Sequence, residues 1–177
     1  MYYITYSRKL PVFEKVPLVN IAGYSEEQCK TIREQHKELL RYSRDNNDNK
    51  EVAFVFRSDF SDRTEHKGSD DRLDFGTALN GKGKDLIIMH NHPRNSSYSM
   101  NDMALFLGND DIKTLTIVKN NGSIEVLTKT LYDKLAAVTA YKRQFKKYVK
   151  SNADKEIDNA INHFLSSGKG GVQWLKN

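Results

Sequence analysis

Leu86-Ile87-Ile88-Met89-His90-Asn91-His92-Pro93 is the stretch on which the fold turns. An apolar run of this length, carrying two β-branched isoleucines, reads as a buried strand. Pro93 has no N–H to offer a ladder and ends it. Side chains alternate across a strand, so His90 and His92 project to one face and Asn91 to the other. Two imidazoles on one face are a ready pair of zinc ligands. On its own the pair carries little; the residues after it decide the reading.

Six residues, 93–98, separate His92 from Ser99-Met100-Asn101-Asp102. A serine and an acid three apart open a helix over Ser99 to about Leu107. Taken alone, they form a capping box, with Asp102 a first-turn acid facing the helix dipole. So short a loop must also bring the helix start back beside the two histidines. Asp102 then completes a ligand set of His90, His92 and Asp102 for one zinc ion per chain. Three protein ligands leave a fourth tetrahedral position for water, as in catalytic rather than structural zinc sites. Zinc would lower the pKa of that water towards about 7. The single cysteine, Cys29, argues against a structural cysteine-rich site.

Upstream, Ser25-Glu26-Glu27-Gln28 is a second capping box. Cys29, Ile32, His36, Leu39 and Leu40 recur at helical spacing, and the Asn46-Asn47-Asp48-Asn49 loop closes the helix. The run from Glu51 to Phe56 predicts a buried strand. Residues 58–71 read as a charged loop or the ribbon of a hairpin, and Leu73 to Leu79 as a short helix closed by Asn80-Gly81. Before Gly23, Pro11 and Pro17 among apolar residues predict extended chain or an edge strand. Downstream, Thr114 to Val118 and Ser123 to Leu127 flank Asn120-Asn121-Gly122, a hairpin signal. Two helices are predicted, at about 130–150 and 154–166. The Gly168-Lys169-Gly170-Gly171 tail lacks the spacing of a phosphate loop and reads as a flexible link to Trp174. The fold class is α/β with mixed strands.

The pattern His-x-His-Pro, short loop, Ser-x-x-Asp resembles the JAMM signature of JAB/MPN-domain zinc metallopeptidases. His90-Asn91-His92-Pro93 is similar to the form in their RadC-like and phage-type branches. The resemblance spans about residues 36–128. It implies a JAB/MPN-like (cytidine-deaminase-like) mixed β-sheet flanked by helices, over residues 1–128, with a C-terminal helical extension, 129–177, packed on the same domain. It also implies zinc on His90, His92 and Asp102, and a catalytic pair, Glu51 as general acid/base and Ser99 as oxyanion stabiliser. Glu51 is the best match for the family glutamate because it opens the strand after the long helix; Glu65 and, more weakly, Glu14 are rivals. Many members have seven residues between the second histidine and the serine; this chain has six, which alters the cleft rather than the ligands. The implied activity is amide hydrolysis on a peptide or protein substrate, as a metalloprotease or isopeptidase. The alternative is a non-enzymatic, zinc-containing phage or mobile-element accessory protein that binds nucleic acid or a protein partner.

Composition bounds these readings. The chain has 177 residues, 38% hydrophobic and 29% charged, which suits one globular domain. No apolar run approaches the roughly 18 residues of a membrane span. The start has no signal-peptide pattern, and one cysteine precludes an intrachain disulfide, so a cytoplasmic setting is expected. Lysine and arginine outnumber aspartate and glutamate by 28 to 23, a net charge of +5. Part of that charge is Lys142, Arg143, Lys146, Lys147 and Lys150, interleaved with Tyr141, Phe145 and Tyr148. Helix 141–150 is thus the candidate nucleic-acid contact; packing of its aromatics with lysines facing water is the favoured reading. His36, His66 and His163 read as core or surface residues rather than ligands, and Cys29 as a small core residue.

Overall fold

The structure, a computed structural model, describes residues 12–69, 72–75 and 79–177. After a single 3-10 turn at Val12–Lys15, the elements are α1 (Glu26–Asn46), β1 (Val52–Phe56), β2 (Thr64–Lys67), β3 (Leu86–His92), α2 (Met100–Gly108), β4 (Ile112–Lys119), β5 (Ile124–Lys129), α3 (Lys134–Tyr148), α4 (Asp154–Ser166) and β6 (Val172–Lys176), the last preceded by a 3-10 turn at Lys169–Gly171. They build one six-stranded mixed sheet flanked by helices, in the order β2-β1-β3-β4-β5-β6. The β3/β4 pair is parallel, joined through α2; the other neighbours are antiparallel.

All seven residues of β3 are buried, because helices cover both faces of the sheet around it. On one face lies α1, whose Cys29, Ile32, Leu39 and Leu40 pack with Phe54, Phe56, Ile87, Met89 and Val126. On the other, α2, α3 and α4 pack Met103, Phe106, Ala137, Ile161 and Phe164 against Val55, Ile88, Leu115, Ile117 and Leu127. No helix among the described residues is long and apolar enough to cross a membrane.

The Ser25 capping box forms as the sequence predicts: Ser25 Oγ accepts from the Gln28 N–H at 3.2 Å, and the Ser25 N–H donates to Gln28 Oε1 at 2.9 Å. The charged segment after β1 becomes a hairpin ribbon, β2.

Three expectations are corrected. Of the N-terminal stretch expected as extended chain or an edge strand, residues 1–11 lie outside the described residues, and 12–23 contain the 3-10 turn and no edge strand; Val16 and Ile21 plug the α1-side core, and the Val16 carbonyl accepts from Arg33 Nε, so this segment packs on α1 instead of pairing with a strand edge. Leu73–Phe75 are not helical, and 76–78 lie outside the described residues. Arg72 and Asp74 are exposed while Leu73 and Phe75 are half-buried, the alternation of extended chain. The tail is not a flexible link: Val172–Lys176 pairs antiparallel with β5 as the sheet's sixth strand. The turn before it requires glycine at 170, where φ is +67° and a Cβ would overlap Ala137 of α3.

Candidate metal centre

Alternation along β3 sends His90 and His92 toward α2 and Asn91 toward α1. Asn91 is fully buried and its amide is used at both ends. Its Oδ1 accepts from the Val52 N–H at 2.7 Å, and its Nδ2 donates to Ser43 Oγ and to the Lys50 carbonyl, each at 3.2 Å. The histidine-free face of β3 thereby clamps the chain on either side of Glu51. The Glu51 carbonyl accepts from Asn47 Nδ2 and from the Gly68 N–H, and its N–H donates to Ser69. With Val52 on the α1 face, the Glu51 carboxylate falls on the histidine face.

The side chains converge there. His90 Nε2 and His92 Nε2 lie 2.9 Å apart. Asp102 Oδ1 is 3.1 Å from His90 Nε2, and its Oδ2 is 3.6 Å from His92 Nε2. Glu51 Oε1 stands farther out, 3.9 Å from His90 Nε2 and 3.7 Å from His92 Nε2. Glu51, His90 and His92 form a buried group able to hold a metal ion, one donor atom from each lying within 4.8 Å of the others.

Electrostatics match a cation at this point. Burial works against a charge on either histidine. At His90 the neighbouring Asp102 and Glu51 carboxylates outweigh burial and raise the pKa; at His92 burial and the His90 charge push it down to about 4. Burial would raise the pKa of Asp102, but His90 and the Ser99 hydroxyl hold it well below the ordinary carboxylate range. Two Nε2 atoms 2.9 Å apart cannot both present bare lone pairs to each other. A proton on His90 relieves the conflict, and a divalent cation between them would also do so.

Both carboxylates stand close to the histidine pair, at different distances. Tetrahedral zinc with bonds of about 2.0–2.1 Å sets its ligand atoms roughly 3.3 Å apart. The His–His and His–Asp102 distances bracket that value, and both Glu51 distances exceed it. Asp102 is thus the nearer carboxylate to His90, while at His92 Asp102 and Glu51 stand at almost the same distance, 3.6 and 3.7 Å.

No protein-family model, curated protein or solved structure matches this chain.

Glu51, His90, Ser99 and Asp102 all line one cleft of about 400 Å³, walled by Leu73, Phe75, Leu79 and Leu105 and edged by Arg72, Asn80, Asn101 and Asn109. Ser99 N-caps α2; its hydroxyl and its N–H both lie 2.7 Å from Asp102 Oδ2. Glu65 does not join the cleft: it pairs across from Phe54 on the α1 face and bonds Arg63. Glu14 sits with Arg41 and Lys37 of α1. His36 is buried under the sheet with Nε2 2.6 Å from Thr116 Oγ1, and His163 stacks on Tyr148. His66 pairs across from Ala53, on the histidine face, but its ring rests on Phe75 and it is not among the donor group. Cys29 is buried and accepts from the Ile21 N–H.

In α3, Tyr141 and Phe145 pack on the core while Lys142, Arg143, Lys146 and Lys147 are exposed, as is Lys150 just past its end. Sequence reasoning missed Ser96, which bonds His92, and Glu125, a fully buried acid behind the loop. A signal existed for Glu125. It shares a strand face with Leu127, opposite the Ile124/Val126 face, so both of its neighbouring positions on β5 demand burial.

Proposed function

We propose that the chain is a zinc-dependent amide hydrolase of JAB/MPN-like fold, acting on a peptide or isopeptide bond. His90, His92 and Asp102 would hold one zinc ion, which when bound would supply a Lewis acid and lower the pKa of a water at neutral pH. Glu51, the carboxylate farther from His90, takes the proton from the attacking water and returns it to the leaving amine. Ser99 leaves its bond with Asp102 to donate to the oxyanion that forms on the substrate carbonyl. The apolar wall of Leu73, Phe75, Leu79 and Leu105 receives the substrate side chains, and the asparagines at the rim offer amide partners to its backbone.

One observation carries the reading: Glu51, His90 and Asp102, mostly buried, line a cleft that opens to solvent, and His92 lies directly against His90. A structural zinc site is closed by four protein ligands and has no use for a cleft. The buried thiol of Cys29 accords with a reducing, cytoplasmic setting.

The test is hydrolysis of a peptide and isopeptide library by the zinc-loaded protein beside Glu51→Gln. Turnover by the wild type, reduced about 10²–10⁴-fold in Glu51→Gln with zinc content unchanged, is the expected result. Equal turnover in the two proteins removes Glu51 from the chemistry.

A second reading is favoured by α3, which has no acidic residue in its first turn and carries its cations on an exposed face. Here the zinc site is retained in an accessory protein that binds nucleic acid. Charge reversal at Lys146 and Lys147 that abolishes binding to a DNA duplex, with Glu51→Gln silent in every assay, selects this reading over the hydrolase.

A further inference from the structure

Glu125 is fully buried on β5, on the same face of the sheet as the metal cluster. Across the sheet His90 pairs with Ile117, and Ile117 with Glu125; His92 pairs with Lys119. The carboxylate has four partners. Lys119 Nζ donates to Oε1 at 2.6 Å, and Lys176 Nζ stands 3.7 Å from the same oxygen. Ser97 Oγ donates to Oε2 at 2.7 Å and Trp174 Nε1 at 3.0 Å. Three of these partners lie on strands. The fourth, Ser97, belongs to the loop that joins His92 to Ser99.

That loop makes the contact that decides the state of His92. Its Ser96 carbonyl lies 3.2 Å from His92 Nδ1, and the Ser96 hydroxyl 3.0 Å from the same atom. A carbonyl only accepts, so it selects the tautomer with the proton on Nδ1 and leaves Nε2 bare, facing His90 and Asp102. A hydroxyl can also donate. If the carbonyl drifts away, Ser96 Oγ can donate to Nδ1 and place the proton on Nε2, where the ring cannot bind a metal. Tyr98 secures the far end of the loop, its hydroxyl 2.9 Å from the carbonyls of both Leu115 and Glu125.

We propose that Glu125 is a positioning residue for the metal centre: through Ser97 it holds the His92–Ser99 loop so that the Ser96 carbonyl keeps His92 in its ligating tautomer. This rests on the metal reading above. A purely structural role accounts poorly for the choice of residues. The surrounding face is Leu115, Ile117 and Leu127, and a buried lysine–glutamate pair is commonly no more stable than apolar residues of the same volume. An ion pair there has value for what it orients. Outer partners of metal-bound histidines act in this manner, and their loss weakens metal affinity about 10–100-fold.

The experiment uses the full chain and two readouts. One is zinc affinity, by competition with a chromogenic chelator. The other is the His92 tautomer in metal-free protein, by long-range ¹H–¹⁵N NMR. Ser97→Ala cuts only the tether; Ser97→Thr restores a hydroxyl. The double variant Lys119→Met with Glu125→Leu replaces the buried pair with apolar volume, which leaves no buried charge unpaired while the tether is lost. Trp174→Phe removes a bond to the same carboxylate from the side away from the loop. We expect wild type, Ser97→Thr and Trp174→Phe to hold the Nδ1–H tautomer and bind zinc alike. We expect Ser97→Ala and the double variant to show mixed tautomers and zinc affinity weaker by about tenfold or more. Unchanged tautomer and zinc affinity in Ser97→Ala and the double variant overturn the role of Glu125 and leave the metal reading standing. Tautomer mixing in those two variants, with zinc bound by none of the proteins, removes the metal reading and leaves Glu125 as the group that orients His92.

Discussion

The carboxylate of Asp102 serves His90 and Ser99 at once: Oδ1 lies 3.1 Å from His90 Nε2, while Oδ2 accepts from the Ser99 N–H at 2.7 Å and closes the α2 capping box. One residue thus starts the helix and faces the histidine pair, so the helix start cannot move without moving the proposed ligand. Asp102→Asn separates the two duties. Its amide oxygen can still accept from Ser99, so the cap survives, and the metal-free protein should lose stability chiefly through the missing charge beside His90. The anionic ligand is lost, and zinc affinity should drop by well over tenfold. A chelator competition and a thermal melt read the two effects, and a variant that binds zinc like wild type contradicts the assignment.

Asn91 is the counterpart on the other face. Asn91→Ala leaves the buried Val52 N–H without its acceptor and frees Ser43 and Lys50 from their shared donor. The expected loss is about 1–3 kcal/mol in urea denaturation. Because the same amide holds the chain beside Glu51, turnover should fall further than the folded fraction does. Loss of stability with turnover unchanged per folded molecule would show that Asn91 does not place Glu51.

Acid should weaken the metal-free protein through His36. Burial, and then the His90 charge, push its pKa down to about 3 from an ordinary 6.5. The unfolded chain therefore binds a proton that the folded chain refuses between those values. The contribution is complete above about pH 6.5 and is lost as pH falls toward 3, with a slope of at most about 1.4 kcal/mol per pH unit for this one group. Urea midpoints from pH 7 to 4 should show a shallower acid decline in His36→Gln than in wild type. Parallel declines would mean that other groups carry the whole effect.

Much of the site was legible because the deciding relations are local. Strand periodicity alone puts His90 and His92 on one face and Asn91 on the other. A six-residue loop limits how far Asp102 can lie from them, and the capping boxes at Ser25 and Ser99 announce their helices. What escaped notice depends on distant pairings. Val172–Lys176 is a short strand after a glycine-rich turn, and it becomes ordered only because β5 offers a free edge. Leu73–Phe75 carries apolar residues compatible with either period, and packing against the cleft selects extended chain. The tether from Glu125 to Ser97 joins residues 28 apart in sequence, so no spacing rule reveals it. The rival acids were separated the same way: Glu65 is excluded by its register opposite Phe54, which only the β1/β2 pairing defines.

The central claim is the metal, and the most direct measurement is zinc per chain. Elemental analysis of protein purified without added zinc, wild type beside His90→Ala, should give about one zinc in the wild type and none in the variant. A wild type that carries no zinc and takes up none on titration would contradict the account.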